Sequence, residues 1–398
     1  MSLLTIEERR SPAIKGWAPF ALGFRPFFLG AGSAAVLLMA LWLPWLLGAA
    51  APPAWTYSPL LWHAHEMLFG FAGAVIAGFL LTAVQNWTGQ PTPRGAPLAA
   101  LFGLWLLARI AFLVPGLPAG AVLLLDLLFL PAVFLAVARP ILRAKQKRNY
   151  AFPAMLGGLT AAAALVDAQM LGFTSDTAAS GLTLAVYLIV LMMVMMGGRV
   201  IPFFTDTRMG GHARRWTPVE WLAPALVVLV AGGVLAAPHS VFTLVAAAAA
   251  AAVNLLRLAG WQKRGLWTVP LLWVLHLGYA WIALGFALTA LAAAGRVPAS
   301  LAVHAYTVGA VGGLTLGMMA RVSLGHTGRS LAPAKIMTLA FVFINAAALL
   351  RVVLPLAAPG LYGTALLAGG LAWLLAFAIF VAVYLPLLLR PRLDGKKG

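Results

Sequence analysis

Apolar residues run almost unbroken along this chain, in stretches of about 20, the length a helix needs to cross a bilayer's hydrocarbon core. Short loops rich in Pro, Gly and charge separate them. The pattern predicts spans near 28–50, 60–84, 96–114, 119–138, 152–172, 181–203, 218–237, 240–258, 268–293, 300–320, 334–354 and 362–389. The apolar–polar alternation of a membrane barrel is absent. The expected fold is an all-α, polytopic transmembrane helical bundle of about 12 spans, with residues 1–398 as a single integral membrane domain. Residues before span 1 carry charge without an apolar region ending in a cleavage site, so span 1 is expected to be retained.

Internal matches add a repeat. An offset of 239 residues carries His65 onto His304, Gly70 onto Gly309, Gly73 onto Gly312, Gly78 onto Gly317, Thr88 onto Thr327 and Gly89 onto Gly328. Span 6 joins more weakly, with Arg199-Val200 on Arg321-Val322. Arg109 in span 3 matches Arg351 in span 11 once three loop residues are allowed for. The implied unit is four helices repeated three times, near 20–140, 150–260 and 265–390. Sites in membrane proteins often lie between such repeats. The glycines themselves are read as packing residues, Gly313 and Gly317 forming a GxxxG pair.

Composition narrows the class. The chain is 63% hydrophobic and 9% charged, with a mean hydropathy of +0.97; soluble domains are about 25% charged. A net charge of +18 would suggest nucleic acid in a soluble protein. Here twelve spans put both termini on one side, and that side collects every Lys and Arg except Arg109, Arg296 and Arg351. Such asymmetry marks the cytoplasmic face and removes nucleic acid as a partner; the bilayer is the partner. With no cysteine, any metal has to be held by His, Met, carboxylate or water.

Ionisable residues inside spans are costly and mark function. The densest group is Trp62-His63-Ala64-His65-Glu66-Met67 at the outer end of span 2. On a regular helix His63, Glu66 and Met67 share a face while His65 points elsewhere, which suggests two sites, or one ligand and a supporting residue. His304 starts span 10 at similar depth, so His65 and His304 are expected as axial ligands of one haem iron. Arg109 and Arg351 are read either as bidentate partners of its propionates or as snorkelling residues. Asp126 and Asp167 are ion-pair partners for those arginines or proton carriers. His276, nearer the inner face, is a core histidine or a rival ligand.

These segments resemble one family. Trp62-His63-Ala64-His65-Glu66-Met67-Leu68-Phe69-Gly70-Phe71, continuing through Ala77-Gly78-Phe79 to Trp87-Thr88-Gly89, is similar to the hallmark of the NnrS family. Gly198-Arg199-Val200-Ile201-Pro202-Phe203-Phe204-Thr205, Leu275-His276-Leu277-Gly278-Tyr279-Ala280-Trp281 and Arg321-Val322-Ser323-Leu324-Gly325-His326-Thr327-Gly328-Arg329 match in order and spacing. The resemblance implies a twelve-span bacterial inner-membrane protein carrying haem, of the b type, and copper, and linked to denitrification and nitric oxide stress. It favours His63, His65, His276, His304 and His326 as the functional histidines. A copper site is then expected at His63 with Glu66 or Met67, since imidazole suits copper and thioether favours Cu(I).

Three functions follow. The leading one is a haem- and copper-binding protein that protects against nitric oxide, with nitric oxide or its iron adducts as ligand. A proton-coupled or metal transporter and a membrane redox sensor are the alternatives; nothing in the sequence names an electron donor, or an enzymatic reaction. The charge asymmetry yields one direct test. A reporter fused after Gly398 should be active only if it functions in the cytoplasm, and periplasmic activity there would refute the twelve-span topology.

Overall fold

The structure is a computed structural model that describes residues 16–52, 58–170 and 172–395. Arg9, Arg10, Lys15, Lys396 and Lys397, which contribute to the basic side, lie outside the described residues. Among the described residues there is no strand, and twelve helices account for the fold. They are α1 (Phe24–Leu46), α2 (Pro59–Thr88), α3 (Ala96–Ala111), α4 (Ala119–Arg143), α5 (Ala151–Met170), α6 (Thr177–Met209), α7 (Thr217–Ala236), α8 (Val241–Gly260), α9 (Pro270–Ala293), α10 (Ala299–His326), α11 (Lys335–Ala357) and α12 (Tyr362–Leu389). Eleven are long and apolar enough to cross a membrane; α3 is the shorter one. All twelve fall where the apolar runs predict.

Local chemistry fixes the helix ends. Ser58 accepts from the Leu61 amide at 3.1 Å, with Pro59 opening α2; both are favoured starts. Gly89 closes the same helix in the left-handed conformation, at φ +68°, which only glycine adopts without steric cost.

The basic connections come together at one end. The Ala18 amide donates to the Leu389 carbonyl at 2.8 Å, Gly95 to Phe20 at 2.9 Å and Leu393 to Thr327 at 3.2 Å. Arg25, fully buried, donates to the carbonyls of Leu388 and Arg390 at 3.0 and 2.6 Å. The first helix thereby packs on the last. We call this the basic end.

α2, α9 and α10 lie at the centre, with 78%, 72% and 72% of their spanning windows buried, against 22% for α7. Small residues bring α9 and α10 together. A Cβ on Gly278 would lie 2.9 Å from the Leu314 amide nitrogen, and a Cβ on Gly313 would lie 3.3 Å from the Gly278 Cα. Gly317 faces Val274 and Leu275 of α9, so the GxxxG pair is a packing seam.

Three helices change their winding. α2 runs as a π-helix over Glu66–Ala72, α10 over Ala305–Gly312 and α11 over Leu349–Val353. The 239-residue offset carries Glu66 onto Ala305, so the first two π-segments begin in register immediately after His65 and His304. α6, read as the middle unit's counterpart, is α-helical throughout, and a three-fold repeat does not follow from the fold. Single π-turns occur frequently at functional sites.

The α9–α10 seam predicts the effect of filling it. Gly278→Val should lower stability by about 1–3 kcal/mol through overpacking, whereas Gly103→Ala in α3, whose Cβ would meet nothing within 4 Å, should not. Thermal unfolding of the detergent-solubilised protein would separate the two.

Candidate functional site

Two polar clusters flank the first turns of α2, at the end opposite the basic loops. The first is buried between α2, α3, α4 and α5. His65, Glu66, Arg109, Asp126 and Asp167 are each less than a tenth exposed. His65 Nδ1 lies 3.1 Å from Glu66 Oε1, and Nε2 lies 3.1 Å from Asp126 Oδ2 and 3.4 Å from Asp167 Oδ1. Arg109 forks between Glu66 Oε1 at 2.6 Å and Asp126 Oδ1, a direct ion pair. Gly70 makes room for this fork: a Cβ there would stand 2.9 Å from an Arg109 nitrogen. The rings of Phe69 and Phe112 lie 5.0 and 4.8 Å from the His65 ring and wall off the cluster.

The second cluster gathers His63, His304 and Arg351. His63 stacks on Trp42 of α1, with ring centroids 4.4 Å apart, and lies within electrostatic reach of both His304 and Arg351. Its buried Nδ1 has no hydrogen-bond partner, and neither does the buried NH1 of Arg351. His304 Nδ1 donates to the Ser300 carbonyl at 2.6 Å, leaving Nε2 with a free lone pair. Arg351 also faces the Tyr362 ring, 5.7 Å from its centroid.

These positions correct several expectations. His65 and His304 do not share a site: both ring nitrogens of His65 face carboxylates, and the imidazole grouped with His304 is His63. Arg109 is an ion-pair partner of Glu66 and Asp126, so it does not pair with Arg351 around one ligand. Glu66 stays on the α-wound turn below His63, its amide bonded to the Trp62 carbonyl, but its Oε1 is engaged by His65 and Arg109, so the expected copper trio does not assemble around it. Met67 packs against the apolar core.

The remaining histidines are distant. His276 is buried with Nδ1 2.9 Å from the Leu272 carbonyl, the arrangement of a core histidine, and its Nε2 has no partner. His326 ends α10 beside Phe24, and its carbonyl accepts from Arg392 at 3.0 Å. The α10 segment between His304 and His326 is about 30 Å long at ~1.5 Å per residue, so they cannot share a metal.

One network escaped the sequence reading. Arg257 of α8 pairs with Glu220 of α7 and donates to the Val194 carbonyl and the Tyr279 hydroxyl, each at 2.8 Å. Tyr279 in turn donates to Asn254 at 2.6 Å. Gly198 leaves the space that the guanidinium fills. The signal was present in the Gly197-Gly198 pair and the charged residues near the ends of spans 7 and 8. Its groups are mutually satisfied, and it serves as a structural tie.

The haem donor set can be tested on these contacts. Two imidazoles with open nitrogens and one guanidinium with an unpaired N–H suit an iron and a propionate, and His63, His304 and Arg351 supply them.

Arg109 neutralises its neighbours inside an apolar bundle, so its loss should be severe. Arg109→Gln should cost about 3–5 kcal/mol, the usual consequence of breaking a buried ion pair on one side. Adding Glu66→Gln should recover part of that loss in a thermal unfolding assay; an additive double variant would disprove the coupling.

Compared with known proteins, the chain matches the family model described as NnrS protein over residues 18–392, nearly its whole length. No curated protein matches it.

Proposed function

The chain belongs to the NnrS family, and on that premise we propose that it is a haem- and copper-binding membrane protein that protects against nitric oxide. The observation that carries the haem part is the partnerless pair at one site, His63 Nδ1 and Arg351 NH1, beside His304 with its Nε2 free. Buried polar groups without partners are costly, and a ligand that satisfies both an imidazole and a guanidinium removes that cost. In this reading His63 and His304 would hold the haem iron and Arg351 would hold a propionate. Bound there, haem would supply one-electron and diatomic-ligand chemistry.

The chain's own residues do the rest. The Ser300 carbonyl fixes the His304 tautomer and orients its ring, a support that metal-binding histidines usually have. Trp42 holds the His63 ring by stacking. The membrane is the bacterial inner membrane, with termini and basic loops cytoplasmic, which puts the site near the periplasmic face. Copper enters on the family resemblance; the expected trio does not form, so no step is assigned to it.

The test is a visible spectrum with metal analysis of the purified protein. A Soret band is expected, altered in His63→Ala and His304→Ala. Arg351→Ala should weaken haem retention without abolishing the ligand spectrum. A colourless preparation would refute the reading and favour a transporter.

A further inference from the structure

Three carboxylates, Glu66, Asp126 and Asp167, meet one guanidinium, Arg109, inside the bundle. With His65 neutral, the cluster carries two uncompensated negative charges in a medium that stabilises none. Asp167 is the sharpest sign: it is 1% exposed and neither carboxylate oxygen makes a hydrogen bond. Glu66 Oε2 is likewise buried and unpartnered. Something positive and small is required there.

His65 says what kind. A carboxylate faces each ring nitrogen: Glu66 Oε1 stands 3.1 Å from Nδ1, and Asp126 Oδ2 and Asp167 Oδ1 stand 3.1 and 3.4 Å from Nε2. With the imidazole proton on Nδ1, donated to Glu66, Nε2 and the two carboxylate oxygens are three electron-rich atoms that a cation between them would hold together. With metal–ligand bonds of ~2.0–2.2 Å, the edge of a coordination tetrahedron is about 3.3–3.6 Å, near the 3.4 Å separation and slightly wider than the 3.1 Å one. All three ligand atoms lie within 4.8 Å of one another. The Glu66–His65 pairing is the carboxylate–histidine support found behind metal-bound imidazoles.

We propose that His65 Nε2, Asp126 and Asp167 form a divalent-cation site of the zinc class, with Glu66 and Arg109 as positioning residues. One divalent ion brings the charge of the five side chains to zero. One nitrogen and two carboxylates, without sulfur, suit Zn²⁺ and disfavour Cu(I). The site is independent of the haem reading, because it shares no residue with His63, His304 or Arg351.

The experiment uses chelator-stripped, detergent-solubilised full-length protein and Zn²⁺ as the probe. Equilibrium dialysis should show one Zn²⁺ per chain, and Zn²⁺ should raise the thermal midpoint. Asp167→Asn should abolish both effects and leave the visible spectrum unchanged, while Glu66→Gln should weaken binding about 10–100-fold. X-ray absorption of the loaded wild-type protein should show nitrogen and oxygen neighbours only; this reading holds even if a variant fails to fold. Zinc binding unchanged in Asp167→Asn, a sulfur neighbour, or no binding by the folded wild-type protein would overturn the site.

Discussion

A charge inside a lipid-embedded bundle has no water to turn to, and here that constraint falls on Arg109. Moving one such ion out of water costs several kcal/mol after relaxation, so a guanidinium 8% exposed within a span demands carboxylates close by. Glu66 and Asp126 answer it from α2 and α4; His65 bridges them, and Asp167 adds a third carboxylate on its far side. The result ties four helices of the first half together through side chains. Outside this cluster the Trp105 indole donates to the Gly70 carbonyl at 3.0 Å, and the remaining contacts are largely apolar, which lipid offers equally well; polar contacts are what make this arrangement specific.

The π-segment of α2 begins immediately after His65, at the level where the helix carries two sites: a charge-rich one towards α3, α4 and α5, and His63 towards Trp42 of α1, His304 and Arg351. α10 repeats the turn in register after His304, so each histidine stands where its helix changes pitch. π-turns leave backbone carbonyls less regularly paired than α-helices, a cost that persists where it positions functional side chains.

The two sites differ in what they lack. Around His63 the missing partners include an N–H donor on Arg351; around Asp167 they are acceptor oxygens. One set calls for a ligand with both lone-pair sites and an electron-accepting centre, the other for positive charge alone. The rings of Phe69 and Phe112 pack beside His65 and line the carboxylate cluster.

Much was legible in the sequence, because lipid imposes a one-dimensional rule. Each span must be apolar and long enough to satisfy its backbone internally, so the twelve helices can be read from hydropathy alone. The histidines of α2 and α10 also stand out as rare residues in apolar surroundings. Partner choice was not legible. That His63 meets His304, that Arg109 serves Glu66, and that Arg257 bridges α7 and α9 depend on which helices touch and at what depth, neither of which hydropathy records. Linear composition thus settles how many helices there are and where they lie along the chain, and three-dimensional packing alone settles which charges neutralise which.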